Sequence, residues 1–291
     1  MSIESNHPPR FTRSTLASNA PVAHEDYVHG YSNREAVRLH DQATTLAALL
    51  HDDSYFPPGS RVLEAGCGVG AQTVTLATQN PLVSFVSVDR SLESIEQARS
   101  RCANAGVSNV EFIHGDLMSM RFDGAWFDHV FLCFVLEHVT APEAMLNHLI
   151  ESLRPGGTVT AIEGDHGSTF FHPDSKAAQH LVDSLIELQK RAGGDACIGR
   201  RLYPLFEGVG LGQVKVSPRF VYADRSRPSL HEGFTLNTFT AMIEGIHDAV
   251  LASGLADEDR FRRGILELRR CAESDGVFCY TFFKAIGQKL P

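Results

Sequence analysis

The chain has 291 residues, with 26 Lys+Arg against 35 Asp+Glu and a formal net charge of -9 at pH 7. At 43% hydrophobic and 21% charged residues it is neither a disordered chain nor one dominated by membrane spans. The acidic balance argues against a non-specific nucleic-acid binder, which needs a basic surface. No apolar run reaches the roughly 20 residues of a membrane helix.

Residues 1–22 are polar and broken by Pro8, Pro9 and Pro21, and are expected to be a disordered tail. They lack an apolar signal region. The six cysteines show no C-x-x-C spacing, so reduced thiols, a cytoplasmic setting and no structural metal site are expected. From residue 61 to 165 strand and helix patterns alternate. Val62 and Leu63 open a strand that runs into Glu64, Gly66, Cys67, Gly68 and Gly70, and a helical pattern with Val74, Leu76 and Ala77 follows. Val83 to Val88 alternates as a strand ending at Asp89. Ser91 caps a helix with Leu92, Ile95, Ala98 and Cys102 on one face, closed by Gly106. Val110 to Ile113 is the next strand, ending at Gly115 and Asp116. Phe127 to Leu136 contains another, apolar throughout as a strand covered on both faces should be. Thr140 to Glu143 reads as a capping box for a helix carrying Met145, Leu146, Leu149 and Leu153. Arg154 to Gly157 then turns the chain into a strand over Thr158 to Ile162.

This alternation predicts a doubly wound α/β sheet, which binds ligands beyond the carboxyl ends of its strands. Later segments break the rhythm. Ser175 to Arg191 reads as a helix, Asn237 or Thr238 caps a second, and Asp259 to Arg270 forms a third. Val277 to Ile286, with Phe278, Tyr280 and Phe282 in period two, reads as a final strand. Helices inserted between late strands suggest a cap over the site, although they also serve simply to extend a core. Phe170, Phe171, Phe234 and Phe239 are candidates for an apolar pocket, with core packing the commoner use of such aromatics.

The glycine loop satisfies the letter of a dinucleotide fingerprint, with Ala71 in its last place, but Glu64 and Gly70 make it E-x-G-x-G-x-G. That loop, with Asp89 after the second strand and Gly115-Asp116 after the third, resembles the class I S-adenosylmethionine-dependent methyltransferases. Asp128 to Val139 followed by Leu153 to Gly157 is similar to their small-molecule, ubiquinone/menaquinone-biosynthesis-like branch, methyltransferase type 11. The resemblance spans residues 27–287 and is strongest over 61–165.

The resemblance implies a Rossmann-like sheet with an N-terminal helical flap and an inserted helical cap. It makes 23–291 one domain, with a cofactor core over 58–166 and the cap and late strands over 167–291. It implies S-adenosylmethionine as cofactor and a small-molecule methyl acceptor. A carboxylate at a strand end suits vicinal hydroxyls, so Asp89 is assigned the ribose. The resemblance places Asp116 on the adenine amino group, with Leu117 against the ring. The backbone from Gly66 through Cys67 and Gly68 to Gly70 is assigned the methionine portion. Glu64 and carbonyls near Cys133 are assigned its ammonium, and Tyr31 of the flap its tail. His166 is the first candidate for a general base, with Asp165 or Glu163 orienting it, and His138 is the second. An NAD(P)-dependent oxidoreductase and a non-catalytic cofactor-binding partner subunit remain alternatives.

Overall fold

A computed structural model of the chain describes residues 45–120, 124 and 126–291. Tyr31, most of the expected flap and the tail lie outside the described residues. Seven strands form one sheet: β1 (Arg61–Ala65), β2 (Ser84–Asp89), β3 (Val110–His114), β4 (Phe127–Cys133), β5 (Leu153–His172), β6 (Leu211–Ala223) and β7 (Val277–Lys289). Their order is β3-β2-β1-β4-β5-β7-β6. Strands β1 to β5 run parallel, while β7 lies antiparallel between β5 and β6. The order reverses between β1 and β4, so their carboxyl ends diverge into a crevice at the switch point.

The parallel strands are apolar because both faces are covered. On one face Val130, Leu132 and Val159 pack with Leu146 and Leu149 of α4 (Pro142–Glu151) and Phe206 of α6 (Leu202–Gly208). On the other, Phe131, Ile162, Phe278 and Phe282 share one cluster with Leu46 and Leu50 of α1 (45–51) and with the inserted helices. These are α5 (Lys176–Arg191), which follows β5, and α7 (Pro228–Gly233), α8 (Ala241–Gly245), α9 (His247–Ala252) and α10 (Glu258–Arg270) between β6 and β7. The insertions expected from the sequence are therefore present, and their apolar faces also extend the core. Between β1 and β3 lie α2 (Ala71–Gln79) and α3 (Leu92–Asn104). Ser91 caps α3 as expected, its hydroxyl accepting from the Ser94 amide.

Several local expectations are corrected. Ala141, one residue after Thr140, is the N-cap of α4, and Pro142 fills the first turn as expected, where a missing N–H costs nothing. Asn237 and Thr238 cap no helix, because residues 235–240 form a π-helical turn. There the Thr238 and Thr240 hydroxyls donate to the Gly233 and Thr235 carbonyls, five residues back. Strand β5 begins before Thr158 and continues past Ile162 to His172. Strand β6 and helix α6 had no counterpart in the sequence reading.

Candidate functional site

The loop between β1 and α2 has three glycines at positive φ, each in different surroundings. A Cβ on Gly66 (φ +76) would lie 2.7 Å from Val135 Cγ2, and one on Gly70 (φ +75) 2.8 Å from Ala98 Cβ. A Cβ on Gly68 (φ +50) would meet nothing within 4 Å. The outer two glycines thus admit the neighbouring turn and helix α3. The middle one leaves its backbone open to a ligand. Gly70 stands at the N-cap of α2 without any side-chain cap, which leaves amides free at that end.

Asp89 closes the loop from β2. Its Oδ2 accepts from the Gly68 amide at 2.8 Å and its Oδ1 from the Ser91 amide at 2.9 Å. A carboxylate has about four lone-pair directions, so each oxygen retains acceptor capacity. The Asp89 carbonyl accepts from Gly115 N at 2.9 Å, which ties in the loop after β3. There Asp116 is exposed and its Oδ1 accepts from Met118 N at 3.0 Å, while Leu117 is buried behind it.

Glu64 is buried below the loop. Its carboxylate accepts from Thr73 Oγ1 at 3.0 and 2.8 Å and from Ser87 Oγ at 2.6 Å. Burial pushes its carboxyl up from 4.5 to about 7, partly opposed by the two hydroxyls. The folded state therefore binds a proton more readily than the unfolded chain. Its stability contribution is fully present near pH 4 and is lost as pH rises toward 7, by about 3 kcal/mol at most. Replacing Glu64 by Gln should shrink the difference in melting temperature between pH 5 and pH 8, read by calorimetry without ligand. An undiminished difference would place that pH dependence elsewhere. The Cys67 and Cys133 thiols flank this region, and burial pushes both up, which keeps them protonated.

Beyond β4 the chain turns sharply. Phe134 has φ +59, a costly backbone state for an aromatic residue, and its amide donates to the Ile162 carbonyl at 2.9 Å. Val135 N and Leu136 N then donate to Glu163 Oε1 at 3.0 and 2.8 Å. Glu163 Oε2 is buried without a hydrogen-bond partner. Burial and the neighbouring Glu137 push the Glu163 carboxyl up to about 8.

His166 and His138 are brought to the same region, on either side of Glu137. His166 Nδ1 lies 2.9 Å from Tyr280 Oη. Its Nε2 is 3.8 Å from Glu137 Oε2, and His138 Nε2 is 3.4 Å from Glu137 Oε1. The expected orienting residues are engaged elsewhere: Glu163 holds the turn after β4, and Asp165 forms a two-point ion pair with Arg200 Nε and NH2, both at 2.7 Å. Phe234 and Phe239 are core residues beside Tyr280, whereas Phe170 is exposed and stacks on Phe220. Sequence reasoning passed over Glu137 and Tyr280. Glu137 stood in plain view beside His138, but Tyr280 meets His166 only through the pairing of β7 with β5.

The residues fit S-adenosylmethionine. Gly68 leaves room at the loop, Asp89 offers acceptor capacity at the end of β2, and Glu163 Oε2 is a buried oxygen without a partner near the turn that borders Gly66. Among the described residues no helix is long and apolar enough to cross a membrane.

Residues 62–157 match the methyltransferase domain family. Over 224 residues the chain is 29% identical to an uncharacterized 37.1 kDa protein in transposon TN4556 of Streptomyces fradiae, covering 75% of this chain and 62% of the relative. It is 35% identical over 105 residues to demethylmenaquinone methyltransferase of Clavibacter sepedonicus, covering 36% and 41%. It is 31% identical over 134 residues to 27-O-demethylrifamycin SV methyltransferase of Amycolatopsis mediterranei, covering 46% and 49%. The chain thus spans from 41% to 62% of the length of these relatives. Among solved structures, the YcgJ protein of Bacillus subtilis is similar with TM-score 0.56 at 16% identity, over 85% of this chain and 99% of that one. Phosphoethanolamine N-methyltransferase 2 of Haemonchus contortus, solved with S-adenosyl-L-methionine, is similar with TM-score 0.57 at 15% identity, over 89% and 58%. At such identities the structural likeness concerns the fold. Together with the glycine loop and the sheet order, the family match identifies residues 62–157 as a methyltransferase domain.

Proposed function

We propose that this protein transfers a methyl group from S-adenosylmethionine to an O, N, S or C atom of a small metabolite. The observation that carries the proposal is the glycine loop at the switch point, held by Asp89 through the Gly68 amide, with open space over Gly68. The cofactor supplies a methyl group already bonded to a good leaving group. The protein's task is then alignment, exclusion of water and, where the acceptor carries a proton, its removal.

In this reading Asp89 accepts from the ribose hydroxyls with the capacity its two amide bonds leave free. Asp116 and Leu117 flank the adenine, and the backbone of Gly66 through Gly70, with Cys67, lines the methionine portion. Glu64 acts from beneath the loop, and carbonyls near Cys133 face the ammonium. Tyr31 belongs to the proposal on the strength of the sequence resemblance. The inserted helices and the sheet beneath them form one domain, and the acceptor lies between the cap and the carboxyl ends of β4 and β5. His166 is the proposed base, with His138 close by. The six cysteines, all free, support a cytoplasmic location, and the acidic charge supports a small metabolite over a nucleic acid.

Calorimetric titration with S-adenosylmethionine and with NAD tests the cofactor. Tight binding of NAD alone would overturn the proposal. A metabolite screen with labelled cofactor and mass spectrometry then identifies the acceptor. On that acceptor, His166→Ala should lower turnover by about 100-fold or more with cofactor affinity within about twofold of the native value. Native turnover in this variant would remove His166 as the base.

A further inference from the structure

Glu137 presents one carboxylate to two imidazoles. It lies in the short 3-10 turn Leu136–His138 after β4 and is 8% exposed. His138 approaches Oε1 from the same turn, and His166 approaches Oε2 from β5. Gln189 of α5 donates from Nε2 to the Glu137 carbonyl at 3.1 Å, and the same nitrogen lies 3.4 Å from Glu137 Oε2 and from His138 Nδ1. Tyr280 of β7 holds the far nitrogen of His166. Four elements thus converge on one buried polar chain, running Tyr280, His166, Glu137, His138.

Two glycines make room for it. A Cβ on Gly164 would collide with Tyr280 Oη, and one on Gly194 would collide with the Glu137 carbonyl. Neither Gly164 nor Gly194 is at positive φ, so neither is there for a turn's conformation. Their use is the space that the tyrosine hydroxyl and the glutamate occupy. The turn itself is held from below by Glu163, which accepts from the Val135 and Leu136 amides.

We propose that Glu137 couples His138 and His166 into one proton-accepting unit, oriented by Tyr280 and Gln189, and that this unit takes the proton which the acceptor loses on methylation. This rests on the methyl-transfer reading above. The acceptor atom gains its bond to the methyl carbon, and the carbon–sulfur bond breaks with its electron pair left on sulfur. The proton on the acceptor atom passes to an imidazole nitrogen, where Glu137 offsets the new positive charge. It leaves to water from the ring that took it, most readily from His138, whose side chain is 20% exposed against 7% for His166. Glu137 is in this account a positioning and charge-balancing residue.

The ionisable groups that face the unit lie on β4, β5 and β7. Glu163 on β5 is pushed up to about 8 by burial and by the neighbouring Glu137. Cys133 on β4 and Tyr280 on β7 both face Glu137 and are held protonated by burial. Asp165 and Cys197 face Tyr280, and Asp165 is already neutralised by Arg200. The unit has a use only where the acceptor atom carries a proton, as a hydroxyl does. A tertiary amine or a thioether has none to give.

The test is a titration of the histidine ring nitrogens by NMR on the full chain without ligand, with His138 and His166 assigned by replacement. Both should follow coupled curves, and Glu137→Gln should lower both midpoints by about half a pH unit or more. Tyr280→Phe should move His166 more than His138. Independent curves, or midpoints unchanged in a Glu137→Gln protein with native circular dichroism, would overturn the proposal. Should that variant fail to fold, an unmoved His166 in Tyr280→Phe overturns it instead. A product methylated at a tertiary amine or thioether also overturns it. Failure of the native protein to bind S-adenosylmethionine would sink the methyl-transfer reading separately, because the titration needs no cofactor.

Discussion

Replacing Asp89 by Ala should weaken S-adenosylmethionine binding by about 100-fold or more, which corresponds to about 2.7 kcal/mol. Hydrogen bonds to a charged group contribute about 1.5–3 kcal/mol each, and the proposal gives this carboxylate two ribose hydroxyls. A second loss comes from the loop, since Gly68 N and Ser91 N both donate to Asp89 in the folded protein. Without the carboxylate the Gly68 amide has no acceptor on β2, and the loop must find its binding geometry when the ligand arrives. Asp89→Asn retains one acceptor oxygen and should lose less, about 10-fold. Calorimetry on the folded variants decides the matter, and native affinity in the alanine variant would remove Asp89 from the cofactor site.

The second large effect separates two glycines that look alike in the sequence. Gly70→Ala should destabilise the fold by about 2–4 kcal/mol, because a β-carbon at φ +75 is strained and would sit 2.8 Å from Ala98 Cβ and 2.9 Å from Ala98 Cα. Helix α3 has to shift or α2 has to start elsewhere. Gly68→Ala carries only the backbone cost, about 1 kcal/mol, since no atom lies within 4 Å of the added methyl. The methyl instead occupies the open side of the loop and should reduce cofactor affinity by about 10-fold or more. Melting temperature and calorimetric affinity, measured on both variants, should therefore move in opposite proportion. Equal effects on both quantities would show that Gly68 does not face the ligand.

The same positions show what local sequence can reveal. The central strands were legible because burial on both faces makes them continuously apolar, and the glycine loop was legible because positive φ selects glycine. Ser91 was legible as a cap because its hydroxyl answers an amide three residues away. Strand β6 was not, because an edge strand alternates only weakly. It contains Pro218, and at Gln213 (φ +52) it bulges out of register. The turn at 235–240 was misread because threonine hydroxyls that suggest a cap instead return to carbonyls five residues back. His166 was found from its place after a strand, but its surroundings were not. Asp165 turned to Arg200 because the insertion after α5 delivers a guanidinium there, and Tyr280 reached His166 because β7 pairs antiparallel with β5. Those contacts join segments that no short window of sequence contains.

The place of β7 has a consequence for how the protein is made. It is inserted between β5 and β6, yet it is synthesised after both and after the helices that connect them. During translation the hydrogen-bonding edge of β5 therefore stays open while α5 to α10 emerge from the ribosome, with Phe171 and Ile162 lacking the partners that later bury them. Non-local pairing of this kind folds slowly and exposes aggregation-prone edges. Nascent chains stalled before residue 277 should accordingly depend on chaperones, and the contact of Tyr280 with His166 is completed only when that strand slides into place.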